Sequence, residues 1–331
     1  MHRFLIIFLF KLIPFCSAQS LYTEDVLAAM PERIKQWKQM VSYADSLSEN
    51  NMLNSTKDKL ADKIGYPPSR IIENTAVRQE KSGEDTVATY YRIWVHISPE
   101  MDTYGLYIVP KGLKQPAPLV IALHGGGGFP ELAVFYARSN YHDMVRGAVL
   151  RGYVVYAPLF IFYPYHDRDH GTSIPKDVRE VLDKKFRYHG TTLMAVEVVK
   201  ITKALDILIK RPEVDPKRIA MIGLSWGGAY TQYATALDPR IRVAVFSCSF
   251  QTELTTRPSF GKHEDVSTVQ LTNLILPRSI QLQFGEHDPL LSIVKVRSGI
   301  KGIDKRVDIE IANGAHEFNG LLAWPFINSH L

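Results

Sequence analysis

Ser225 stands in the string Gly223-Leu224-Ser225-Trp226-Gly227-Gly228, directly after the apolar run 219–222 and before a helix-forming stretch, 229–237. On so sharp a strand-to-helix turn a serine is held in a strained backbone conformation with its Oγ exposed. Side chains two positions to either side would collide with neighbouring backbone, so glycine is needed at both. A hydroxyl becomes a nucleophile only beside a base, and an imidazole base needs an acid to fix its tautomer. Two later loops supply these types. Gly285-Glu286-His287-Asp288-Pro289 follows the apolar run 280–284, and Asn313-Gly314-Ala315-His316-Glu317-Phe318 follows the run 307–311. Asp288 and His316 therefore fall at strand ends in the order Ser, acid, His. Glu286, two residues before Asp288, stays open as the alternative acid. His287 reads as loop structure, and His330 lies at the extreme terminus.

A developing oxyanion needs donors, and His124-Gly125-Gly126-Gly127-Gly128 after the run 119–123 can bring bare N–H groups close to it. A phosphate-binding loop is excluded: no Lys-Ser/Thr pair follows, and Pro130 stands where the last glycine of G-x-G-x-x-G would be. His124 reads as a structural residue of this loop. No cofactor is implied. Between residues 158 and 189 lie Phe160, Phe162, Tyr163, Tyr165, His166, Asp167, Asp169, His170 and Tyr188. Following a strand end beside the serine, this segment is expected to form a lid, with Phe160, Phe162, Tyr163 and Tyr165 as pocket walls. The spacing of His166 to His170 matches no zinc template, and Arg168 would sit amid the ligands, so no metal is expected. Cys248, inside the apolar run 243–250, reads as a buried, inert thiol.

These loops need a frame that brings strand ends together. Runs at 119–123, 153–157, 219–222, 243–246, 280–284 and 307–311 are continuous apolar stretches separated by helix-length segments. That pattern marks a parallel sheet covered on both faces. Residues 86–97 and 104–109, rich in β-branched and aromatic types around a 99–103 turn, read as an antiparallel hairpin. The expectation is an eight-stranded, mostly parallel α/β sheet. Ahead of it, Val26, Leu27, Met30, Ile34, Trp37, Met40 and Val41 recur at three- and four-residue spacing and predict a helix over 22–47. A second, over 57–64, ends at Gly65 and Pro67-Pro68.

His2 and Arg3 precede seven apolar residues, 4–10, and Ser17 and Ala18 precede polar Gln19. This is the layout of a secretory signal cut after Ala18, and it is too short to span a bilayer. The expected organisation is a signal peptide at 1–18, a helical extension at 19–70 and a catalytic domain at 71–331, secreted or periplasmic. Cleavage removes Arg3 and Lys11, lowering the net charge from +5 to +3, and leaves Cys248 as the one cysteine of the mature chain. The basic residues form no stripe, which argues against a nucleic-acid partner.

The motifs HGGGG at 124–128, GLSWGG at 223–228, GEHD at 285–288 and GAHEF at 314–318 resemble those of the α/β-hydrolase superfamily. The likeness is greatest to the dienelactone hydrolase, acetyl xylan esterase and prolyl-oligopeptidase catalytic-domain group. The chain departs from each in something: a serine rather than a cysteine nucleophile, no glutamine after that serine, no room for a propeller. The resemblance implies an α/β-hydrolase fold, Ser225 as nucleophile, His316 as base and Asp288 as acid. It also implies the N–H groups of Trp226, Gly126 and Gly127 as oxyanion donors. The activity expected is a serine esterase acting on short-acyl or aromatic esters, of small molecules or carbohydrate. A prolyl-oligopeptidase-like peptidase and an inactive binding protein are the alternatives.

Overall fold

The apolar runs become the strands of one sheet. The computed structural model describes residues 16–47, 59–126, 128–135, 139–160, 165–167, 172–175, 177–250 and 266–331. Among these, nine strands lie side by side in the order β1-β2-β3-β5-β4-β8-β9-β10-β11. They are β1 (Val77–Glu84), β2 (Ala88–Ser98), β3 (Met101–Pro110), β4 (Ala117–Leu123), β5 (Val154–Pro158), β8 (Val214–Leu224), β9 (Val243–Ser247), β10 (Ser279–Gly285) and β11 (Asp308–Ala312). From β1 to β5 each neighbouring pair is antiparallel; from β5 across to β11 every pair is parallel. The short strands β6 (Tyr165–Asp167) and β7 (Thr172–Ile174) pair separately.

Nine strands replace the eight expected, and the extra one is β1. Its sequence, VRQEKSGE, is polar and almost wholly exposed, so no apolar period announces it. It exists because the edge of β2 offers it a ladder, from Val77 opposite Val95 to Glu84 opposite Thr89. Polar residues and charge on such an edge also discourage pairing with another chain.

Period-two alternation along β4 and β8 divides the core. Leu119, Ile121, Leu123, Ile219 and Met221 face one side, toward α1 (Cys16–Ser46), α5 (Val178–Tyr188), α6 (Leu193–Leu208) and the tyrosines of α7 (Trp226–Leu237). Val120, Ala122, Ala220, Ile222 and Leu224 face the other, toward α3 (Pro130–Phe135), α4 (Met144–Val149) and α10 (Gly320–His330). Each fully buried Val, Leu, Ile or Met side chain here contributes about 1.5–3 kcal/mol. Between β10 and β11 runs α9 (Ile293–Gly299), and α8 (Thr268–Ile275) precedes β10 behind a Ser267–Gln270 capping box.

The predicted N-terminal helices are present. From Ile34 onward α1 buries Ile34, Met40, Tyr43 and Ala44 in the first core. Gln36 Nε2 donates to Asp102 O at 2.7 Å, and Trp94 Nε1 donates to Glu32 at 2.9 Å. The helix thus joins the hydrophobic core itself. α2 (Leu60–Ile64) stops at Gly65, whose φ of 64° is open to glycine at no steric cost.

Candidate active site

The parallel strands deliver their C-terminal ends to one edge of the sheet. Leu123 is level with Gly223, Leu224 with Ser247, and Gly285 with Ala312. The chain crosses from β4 to β5 on one side and to β8 on the other, and at such a reversal α/β sheets open a crevice. Ser225 lies there, half-buried, with φ 58° and ψ −114°. For a residue bearing a Cβ this costs roughly 1–3 kcal/mol, and the surroundings hold it. Its N–H donates to Ser247 O at 2.7 Å, and its carbonyl accepts from Ala229 at 3.0 Å to begin α7. A Cβ on Gly223 would run into the Gly227 carbonyl, and one on Gly227 would lie 2.6 Å from His124 O. Both glycines are needed for close approach of backbone to backbone.

His316 Nδ1 lies 2.7 Å from Asp288 Oδ2, with the carboxylate 1% and the imidazole 13% exposed. Asp288 Oδ1 accepts the N–H groups of Leu290 and Leu291 at 2.8 and 2.9 Å. Burial pushes the Asp288 carboxyl up, but the hydrogen bonds from His316 and the two amides outweigh it and hold it below the usual carboxylate range. An ionised Asp288 can only accept, so Nδ1 carries the proton and Nε2 presents a lone pair. Nε2 is buried and makes no hydrogen bond among the described residues. Glu286 turns outward, its carboxylate 2.5 Å from Arg297 on α9. Of the two acids left open by the sequence, only Asp288 meets the histidine. His287 is exposed, and its N–H donates to Gly314 O.

The end of β9 joins the two halves. Ser247 accepts the Ser225 N–H through its carbonyl, and its hydroxyl donates to Glu317 O at 3.1 Å, next to His316. Cys248 Sγ donates to the same carbonyl at 3.4 Å. The donor atoms of Cys248, Asp288 and His316 lie within 4.8 Å of one another. That trio is a poor metal site, because Asp288 and His316 already satisfy each other. Burial, then the Asp288 charge, also pushes the thiol up to about 12, where it stays protonated.

Opposite lies the glycine loop. Gly125 packs beside the serine: a Cβ there would lie 3.3 Å from Ser225 Cβ. His124 is fully buried and neutral, its pKa lowered to about 3 by that burial. Nδ1 donates to Gly125 O at 2.9 Å, so Nε2 is bare and accepts the Phe160 N–H at 3.2 Å. Trp226 is the first residue of α7, directly after Ser225. Gly127, Phe162 and Tyr163 lie outside the described residues, as do Arg168, Asp169 and His170. Tyr165 is placed in β6 by its backbone. Phe160, expected in the pocket wall, is 2% exposed and stacked on Tyr230 at 5.1 Å. It follows a strand end closely enough to be drawn into the core beneath the loop, and its ring offers no face for a bulky substrate.

An imidazole nitrogen with no hydrogen bond among the described residues, a carboxylate behind it and a strained serine can together perform acyl transfer. The family model for acetyl xylan esterase (AXE1) matches residues 70–257, more than half of the chain. The chain belongs to the acetyl xylan esterase family. Among individual proteins, it is 27% identical over 261 residues to YtaP of Bacillus subtilis (strain 168), a protein whose name describes it as a hydrolase, covering 72% of this chain and 80% of that one. Among solved structures, acetyl xylan esterase 1 from Thermoanaerobacterium sp. JW/SL YS485 superposes with a TM-score of 0.56 at 18% identity, over 77% of this chain and 88% of that one. A glucuronoyl esterase from Solibacter usitatus gives 0.56 at 15% identity, over 88% and 90%. These likenesses establish an α/β-hydrolase fold.

In this acetyl xylan esterase family member several neighbours of the site escaped sequence reasoning. Tyr141 accepts the Gly125 N–H at 2.9 Å, and Asn140 and His142 reach the His316 loop. Arg179 of α5 lies over the Trp226 ring at 3.3 Å. Lys200 and Glu197, both fully buried on α6, pair at 2.7 Å, and Lys200 also donates to Leu159 O at 2.9 Å, fixing the chain entering Phe160. Only this last pair leaves a signal, as two opposite charges three residues apart in an otherwise apolar helix.

Proposed function

We propose that this chain is a secreted serine esterase that removes short acyl or aromatic groups from carbohydrate. Ser225 Oγ attacks the ester carbonyl while His316 Nε2 takes its proton, and Asp288 holds the Nδ1–H and stabilises the imidazolium. The N–H groups of Trp226, Gly126 and Gly127 receive the oxyanion. His316 then returns the proton to the departing alcohol, and water, activated by the same nitrogen, releases the acid from the acyl-enzyme. The observation that carries this reading is the His316–Asp288 pair, its Nε2 without a hydrogen bond among the described residues, tied through the neighbouring Glu317 carbonyl to Ser247, which also holds the strained Ser225. Family membership favours acetyl groups on xylan, and the similar fold of a glucuronoyl esterase makes uronoyl esters the comparison substrate.

Secretion rests on the basic, apolar and small-residue succession of residues 1–18. No described helix is long and apolar enough to cross a membrane. In the same proposal residues 19–70 are the helical extension and 71–331 the catalytic domain. The test is Ser225→Ala, assayed on p-nitrophenyl acetate and acetylated xylan. The expected result is loss of at least about 10⁴-fold in kcat on both. Unchanged turnover would overturn the reading.

A further inference from the structure

We propose that Tyr141 is a positioning residue that sets the oxyanion loop, and that its turn registers this loop against the His316 loop. The inference rests on the reading of Ser225 as nucleophile and deepens it.

Two consecutive peptide units of the glycine loop are tied down. The Gly125 N–H donates to Tyr141 Oη at 2.9 Å. The Gly125 carbonyl accepts from His124 Nδ1 at 2.9 Å and from Gly128 N at 3.1 Å. That carbonyl shares a planar trans peptide with the Gly126 N–H, which must therefore point away from both donors. Holding Gly125 at its N–H and its carbonyl thus aims the Gly126 donor. Tyr141 is buried, and Gly128 packs so tightly on its hydroxyl that a Cβ there would collide with it. Burial pushes the Tyr141 phenol up to about 12, so it stays neutral at assay pH.

The residues flanking Tyr141 hold the other loop. Asn140 Nδ2 donates to His316 O at 3.1 Å, and Asn140 O accepts the Phe318 N–H at 2.9 Å. His142 Nε2 lies 2.6 Å from Glu317 Oε2, while Glu317 Oε1 accepts the Ala315 N–H at 3.1 Å. The hydrogen bond to His142 holds the Glu317 carboxyl below its usual range. His142 and Asp143 have φ of 45° and 53°, a left-handed pair uncommon outside glycine. Three adjacent residues therefore grip the oxyanion loop on one side and the base on the other. Proton transfer and oxyanion capture occur in the same step, so their separation matters to tenths of an ångström.

Tyr141→Phe keeps the ring and removes the acceptor. For p-nitrophenyl acetate kcat is expected to fall about 10- to 100-fold with KM within threefold, below the loss of a whole oxyanion donor. Phenylboronic acid supplies a readout that a merely structural role would not move. Ser225 Oγ adds to boron as its proton passes to His316, giving a tetrahedral adduct that uses the same donors. Its inhibition constant should rise by the factor that kcat/KM falls. His142→Ala, at a half-exposed position, is the second variant; kcat falling at least threefold with a matching boronate shift is expected, and it decides the question if Tyr141→Phe does not fold. Wild-type kcat and boronate affinity in either folded variant, beside an inactive Ser225→Ala, would overturn the inference alone. Activity retained in Ser225→Ala would instead overturn the reading beneath it.

Discussion

The loops after β4 and β11 each carry a histidine at the end of a parallel strand, and the fold treats the two oppositely. His124 has both nitrogens engaged, one donating to Gly125 O and the other accepting from Phe160 N–H. His316 has one nitrogen on Asp288, and the other makes no hydrogen bond among the described residues. Burial fixes His124 in its neutral form, and nothing is left on it with which to take a proton. His316 keeps an Nε2 lone pair that no described residue engages, with the Asp288 carboxylate on its other nitrogen. An imidazole's role follows from what its second nitrogen meets. The first histidine is a bracket between the glycine loop and the chain leaving β5, and the second is equipped as a base.

The largest effect that could break this contrast comes from the carboxylate. Asp288→Asn should lower kcat about 10⁴-fold, because the amide no longer selects the tautomer with Nε2 bare. Glu286→Gln, two residues away and paired with Arg297 at the surface, should stay within about twofold, since exposed ion pairs contribute little. Steady-state kinetics on p-nitrophenyl acetate measure both. Reversed sensitivities would assign the acid to Glu286 and dissolve the contrast.

A smaller effect sharpens the other side. His124 binds its proton only near pH 3 in the folded chain, against 6.5 ordinarily. Between those values the unfolded chain holds the extra proton, so stability rises with pH there. The contribution is whole above about pH 6.5 and drains away as the pH falls toward 3, costing about 2 kcal/mol between pH 7 and pH 5. Urea unfolding at the two pH values should show this loss, and His124→Asn should remove it. An equal loss in the variant would show that other groups carry the acid sensitivity.

The same pair of loops shows what the sequence makes legible. Asp288 and His316 could be placed because continuous apolar runs mark β10 and β11 and the residues after such runs lie at one sheet edge. Only the fold distinguishes Asp288 from Glu286: a single loop residue separates an acid 1% exposed on the histidine from one turned to solvent. Tyr141 lies 16 residues from the amide it accepts, and Asn140 lies 176 from the carbonyl it serves. No periodicity encodes contacts of that kind. β1 was invisible because an exposed edge strand needs no apolar face, and Phe160 was misplaced because aromatic content does not distinguish a pocket wall from the packing beneath it. The helix α1 was legible from its three- and four-residue spacing, although its union with the main core was not.

Labelling with a fluorophosphonate followed by tryptic mass spectrometry asks whether Ser225 is the nucleophile. Cleavage after Arg218 and Arg240 releases residues 219–240, in which Ser225 is the sole serine. One phosphonyl adduct is expected, on this peptide, with its appearance matching the loss of esterase activity and absent in Ser225→Ala. An adduct on another peptide, or inactivation that leaves 219–240 unmodified, would contradict it.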